Sequence, residues 1–203
     1  MAGFPIDHNV WDYGLTLSNF IETMDAHKGA MQRRYDQVHL TKAEQDQFKS
    51  LNRQIYMAVL TEEWCTDCLM NLPILARIAE ASPKMDLRIY NRRQWLRIRE
   101  YFTSQDIHSI PVAAFMDGNF QLIGSWIERP FAAHEWLANW KSNHPEIEVT
   151  RRRADLSSEQ KRDLLNKLTD QMLVDMETAY NQGLQSETIC EIAALLGLQE
   201  LAS

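Results

Sequence analysis

Cys65 and Cys68 enclose Thr66-Asp67 and follow directly on Glu62-Glu63-Trp64. Two thiols at this spacing can close and reopen a disulfide, passing two electrons to a partner disulfide. They can also supply two of the roughly four ligands of a zinc site, or be inert. The flanking residues favour the first chemistry. Before the pair, Gln54 to Thr61 (QIYMAVLT) is short and almost wholly apolar, as a buried strand is. After it, Leu69, Leu72, Leu75, Ile78 and Ala79 recur as on a helix, with Pro73 inside and expected to kink it. The cysteines therefore sit where a strand turns into a helix. Unpaired backbone N–H groups and the macrodipole at that terminus stabilise an anion, here a thiolate at Cys65. One helical turn brings Cys68 beneath it, so Cys65 is the expected nucleophile and Cys68 the expected resolving thiol. A zinc site would need further ligands, and only Cys190 and scattered histidines remain, with no second CxxC and no HxxxH. No metal is expected.

The elements that must hold this pair can be read outward from it. Asp86 to Asn91 alternates like a strand, and Arg93 to Phe102 is helical in composition. Ile110 to Phe115 reads as a strand opened by Pro111, and Asp117-Gly118 as a hairpin turn into a strand through Phe120, Leu122 and Ile123. Pro130 suits the start of a helix reaching about Trp140. The order from 54 to 142 is β-α-β-α-β-β-α. Helical crossovers imply parallel pairing and the tight turn implies one antiparallel pair, which makes an α/β fold with a mixed sheet flanked by helices.

Both ends read as helical. Leu15, Leu17, Phe20, Ile21 and Met24 give a mixed apolar face, and Thr41 with Glu44 forms a capping box. Beyond His144-Pro145, Ser157 and Gln160 make a second capping box. Leu164, Leu168, Met172, Met176 and Tyr180 then fall four apart, a stripe expected to be core. Gly183 closes that helix, and Ser186 to Leu196 forms a last short one in which Cys190 is expected to be a small buried hydrophobe. The organisation read from this is an N-terminal helical extension (1–50), a central domain (51–143), and a C-terminal helical extension (144–203). The last is expected to pack on the core or on a partner, a homodimer through the terminal helices included.

Composition excludes several functions. The chain has 203 residues, 45% of them apolar, enough to bury a core. Its formal charge of −7, from 28 acidic and 21 basic residues, argues against a nucleic-acid partner. The Arg151-Arg152-Arg153 cluster is short, is followed by acids, and reads as a solvated approach to a helix. No apolar run approaches the roughly 20 residues that cross a bilayer. The first residues, MAGFPID, show neither a basic start nor an apolar stretch, so no leader is expected. Three cysteines with one close pair suit the reducing cytoplasm.

The segment from about 50 to 142 resembles the thioredoxin family. Trp64-Cys65-x-x-Cys68 matches its WCxxC, and Pro73 its helix proline. Ile110-Pro111 is similar to its cis-proline, while Gly118 and Gly124 fit its later hairpin and the glycine after it. The resemblance implies a thioredoxin-like fold with extra helices at both termini, and a thiol–disulfide oxidoreductase that reduces protein disulfides. It implies Trp64 as a docking platform, Ile110 as backbone for a substrate strand, and Pro111 as a shield for the sulfurs. No cofactor is implied, because the dithiol carries the electrons. The implied partners are disulfide-containing proteins or small thiols, and an electron donor. The chain departs from the family at several points. Val59 stands where the family has a buried aspartate, and Glu62 is the nearest replacement by sequence. Thr61 replaces a tryptophan, and Thr66-Asp67 replaces Gly-Pro. Glu62 and Asp67 are accordingly the residues expected to tune the pair. His108, three before Pro111, is a weaker candidate for the substrate groove. A redox-inactive binding scaffold is the alternative reading, and a zinc site through the CxxC a lesser one.

Overall fold

The apolar run before the cysteines becomes the strand around which the sheet is built. In a computed structural model, which describes residues 3–198, Ile55–Thr61 forms strand β1 with every residue but Tyr56 buried. Strand β2 is Met85–Asn91, β3 is Val112–Met116 and β4 is Leu122–Ile127. They lie in the order β2-β1-β3-β4. β1 and β2 run parallel from Ile55 opposite Met85 to Thr61 opposite Asn91. β3 runs antiparallel to β1, with Val112 opposite Leu60, and β4 antiparallel to β3. The sheet is mixed, as expected, but with two antiparallel pairings rather than one. After β2 the chain passes through a helix and starts β3 at the end where β1 and β2 finish, so the crossover returns it in the opposite direction.

Helix α1 is His8–Trp11, α2 Leu17–Thr23, α3 Lys28–Gln37 and α4 Lys42–Lys49. Helix α5 is Thr66–Glu80 with Pro73 inside it, and α6 is Leu96–Thr103. α6 begins later than its composition suggests, because Trp95 N–H first closes a turn onto the Asn91 carbonyl. Leu15 lies before α2 and pairs with Ile89 of β2 through two backbone hydrogen bonds of 2.9 and 2.8 Å. Phe120 lies outside β4, in the turn, with a left-handed φ of 60°. Its Asp117 supplies the turn chemistry, accepting from Asn119 N–H at 2.8 Å and Gln121 N–H at 2.9 Å.

Strand alternation divides the core. Ala58 and Leu60 join Val112, Ala114, Ile98, Phe102, Trp11 and Tyr90 in one aromatic-rich cluster. Met57, Val59 and Thr61 alternate with them and are fully buried on the other face. α5 packs on β1 and β2 and also on α3, so nearly all of its residues are buried. Arg77 fastens the far end of α5 to α3. It donates to the carbonyls of Val38 (3.1 Å) and Tyr35 (3.0 Å) and stacks 3.8 Å from the Tyr35 ring centre.

The chain divides into two compact units, residues 1–129 with 188–203 and residues 130–187. The second contains α7 (Phe131–Asn143), α8 (Glu146–Arg152) and α9 (Ser158–Ala179). Within it Trp140 stacks on His144 and donates to Asp175 at 2.8 Å. The expected stripe along α9 is core only toward its end. Met176 and Tyr180 are buried, Leu168 and Met172 half-buried, and Leu164 exposed. Gly183 (φ 155°) breaks the helix before α10 (Gln185–Leu195). α10 turns Thr188, Ile189, Ile192 and Ala193 inward, which leaves Cys190 exposed on its other side, not buried as expected. Among the described residues, no helix is long and apolar enough to cross a membrane.

Candidate active site

Cys65 is the N-cap of α5, in extended conformation, and its sulfur accepts the N–H of Cys68 at 3.2 Å. This sulfur takes the place of the side-chain oxygen that usually satisfies an orphan donor at a helix start. The same Sγ donates to the Ile110 carbonyl at 3.3 Å. The Ile110–Pro111 peptide is cis, and Cys65, Cys68 and Ile110 form one buried cluster. Residues 45 positions apart in sequence thus meet at the helix terminus.

The two thiols differ in setting. Cys65 retains 8% of its surface and Cys68 none. Burial pushes the Cys68 thiol well above its ordinary range. The hydrogen bond and charge of Cys65 act in the same direction, while the Thr61 hydroxyl and the Glu62 backbone oppose them. Both cysteines are free thiols here. Trp64, half exposed at 49%, stands next to Cys65 with the Arg93 guanidinium 6.0 Å from its ring centre.

The acids near the pair in sequence, Glu62 and Asp67 among them, are engaged by other groups. Asp67 is buried and takes a two-pronged ion pair from Arg129, Nε to Oδ1 at 2.8 Å and Nη2 to Oδ2 at 2.5 Å. Arg129 also bonds Glu128 at 2.7 Å. Glu62 is buried as well, and its carboxylate accepts Arg93 N–H at 2.8 Å. Glu63 accepts the N–H groups of Asp25 and Ala26 at 2.7 and 3.0 Å. Val59, at the family's aspartate position, is fully buried and apolar. His108 is exposed and pairs with Asp106.

Sequence reasoning missed three contributors. Arg129 lies 62 residues from Asp67, with no spacing to betray the pair. Asn71 is fully buried one turn past Cys68. Its Nδ2 donates to the Asp67 carbonyl at 3.1 Å and the Glu128 carbonyl at 3.4 Å, and its Oδ1 accepts from Thr188 at 3.0 Å. Thr61 was noted only as a missing tryptophan. Among the described residues no group of three or more His, Cys, Asp or Glu side chains converges as a metal site would require.

Such a pair, one thiol capping a helix and the other enclosed behind it, supports a thiol-based redox role. A comparison with curated proteins gives no match. Among solved structures, the chain is similar to a protein of unknown function from Pseudomonas aeruginosa, with 18% identity and a TM-score of 0.64, covering 95% of this chain and 98% of that one. An HIV epitope scaffold is similar at 18% identity and a TM-score of 0.60, with the same coverages. At this identity both likenesses speak to the fold. A family model described as thioredoxin matches residues 14–141, more than half of the sequence, and the chain belongs to the thioredoxin family.

Proposed function

We propose that the protein is a thiol–disulfide oxidoreductase that reduces disulfides of protein or small-thiol partners through Cys65 and Cys68. The observation that carries this is the dual bonding of Cys65 Sγ, to the Cys68 N–H and to the Ile110 carbonyl beside Pro111. On losing its proton the sulfur still accepts the Cys68 N–H at the helix terminus. The thiolate attacks a partner disulfide and forms a mixed disulfide at Cys65. Cys68 then displaces the partner sulfur, in an intramolecular step with high effective concentration. The partner leaves as a thiol, and the Cys65–Cys68 disulfide is reduced in turn by an electron donor. Trp64 and the Ile110–Pro111 backbone form the substrate-facing rim, with Asp67 and Glu62 fixing the geometry behind them. A reducing compartment, the cytoplasm, suits this direction of transfer.

The test is trapping. Cys68→Ser should accumulate covalent partner complexes that dithiothreitol releases, and Cys65→Ser should accumulate almost none. Equal trapping by both variants would defeat the proposal and favour the scaffold reading. So would failure of the wild-type protein to form the Cys65–Cys68 disulfide on oxidation.

A further inference from the structure

Thr61 ends β1 and, by strand alternation, shares the buried face of Met57 and Val59. No part of it reaches solvent, and its Oγ1 finds no partner meeting hydrogen-bond distance and angle. Buried hydroxyls left in this way are uncommon and costly, and each calls for an explanation. A polar group near this hydroxyl is the Cys68 thiol, itself wholly enclosed. The next residue presents its backbone N–H to the same sulfur, while the Glu62 carboxylate is occupied by Arg93 N–H. The exit of β1 therefore brings two adjacent donors near Cys68. No carboxylate stands at the Val59 position to take its proton.

Resting on the oxidoreductase reading above, we propose that Thr61 is a positioning residue for the resolving step, its hydroxyl donating to the Cys68 sulfur as that sulfur becomes the attacking thiolate. A thiol is a weak acceptor, so the hydroxyl is poorly bonded in the resting state; a thiolate is a strong one, and the bond forms as charge develops. In the step itself, Cys68 gives up its proton and its sulfur bonds to Cys65 Sγ. The Cys65–partner S–S bond breaks, and its electron pair leaves with the partner sulfur, which takes up a proton. Cys65 and Cys68 are oxidised to the disulfide and the partner is reduced to a thiol. Thr61 keeps its own proton throughout.

The experiment uses the full chain carrying Cys190→Ser, which removes the exposed third thiol, and one equivalent of 5,5′-dithiobis(2-nitrobenzoate) in stopped flow. Attack by Cys65 releases one thionitrobenzoate, and displacement by Cys68 releases the second. Thr61→Val, nearly isosteric, should leave the first release unchanged and slow the second about tenfold, the scale of one lost charge-assisted donor. Thr61→Ser should restore it. Should thermal melting show Thr61→Val to fold poorly, Thr61→Ala makes the same comparison. An unchanged second release, equal slowing of both releases, or a serine variant as slow as valine would overturn the role of Thr61 and leave the oxidoreductase reading intact. Absence of a second release from the parent protein would overturn that reading and this proposal with it.

Discussion

Replacing Arg129 by methionine tests whether Asp67 belongs to the architecture of the site. The guanidinium is 13% exposed and the carboxylate 8%, and their two bonds of 2.8 and 2.5 Å are parallel and charge-assisted. Exposed pairs contribute about 0–1 kcal/mol. Removing one partner of a buried pair costs roughly 3–5 kcal/mol, because the other charge is left enclosed. Residual exposure places this pair at the lower end, so Arg129→Met should lose about 3 kcal/mol. For a chain of this size that is a fall of about 6–12 °C in Tm. Asp67→Asn should cost less, about 1–2 kcal/mol, because Arg129 keeps its bond to Glu128 at 2.7 Å. Combining the two changes removes the stranded charge, so the double variant should be more stable than Arg129→Met alone. Urea unfolding of the four proteins measures that coupling. A loss below about 1 kcal/mol for Arg129→Met, or strict additivity in the double variant, would show that the pair behaves as a solvated surface contact.

Two further outcomes follow from burial. The raised Cys68 thiol means that the unfolded chain deprotonates first as pH rises, so this contribution to stability is complete below about pH 8.5 and declines above it. Tyr35 and Tyr90, both raised chiefly by burial, should steepen the decline near pH 10. Urea midpoints between neutral and alkaline pH would show this. Cys68→Ala should flatten the first part of the decline, and an unchanged slope would count against burial as its cause. Gly14 lies so close to β2 that a Cβ there would meet Arg88 Cβ at 2.6 Å and the Tyr90 ring at 2.7 Å. Gly14→Ala should cost about 1–3 kcal/mol and weaken the Leu15–Ile89 bridge, seen as faster amide exchange at Ile89.

What the sequence showed plainly was local in origin. The capping boxes at Thr41–Glu44 and Ser157–Gln160 need only four consecutive residues, and both form. β1 was legible because both of its faces are buried, which makes its apolar run continuous. The placement of Cys65 followed from the strand-to-helix change around it. The errors arose where distant residues decide. The ion pair of Asp67 could not be read, because Arg129 reaches it from beyond β4. The burial of Glu62 could not be read either, because its donor is a backbone N–H that only the turn after β2 supplies. Cys190 sits among apolar neighbours in sequence, yet helical geometry turns its own direction outward. Thr61 stood out only as a missing tryptophan, since a threonine ending a strand is ordinary until its hydroxyl is found enclosed near a thiol.

The C-terminal helix shows why residues outside the family-matched stretch still bear on the site. Leu195 of α10 approaches Gly124 of β4 so closely that a Cβ on Gly124 would touch it at 3.4 Å. Glu191 accepts the Trp126 indole N–H at 2.7 Å. Thr188 reaches further in and donates to Asn71, the residue that also holds the carbonyls of Asp67 and Glu128. Asn71 thereby ties the cysteine-bearing turn to the loop that carries Arg129, and α10 fixes Asn71. A buried amide orients a neighbour reliably only when its own dipole is held. α10 therefore reaches the site through one amide side chain: Thr188 bonds Asn71, and Asn71 bonds the Asp67 carbonyl in the first turn of α5. That chain of bonds ends in the same helical turn whose N-cap is Cys65 and which encloses Cys68.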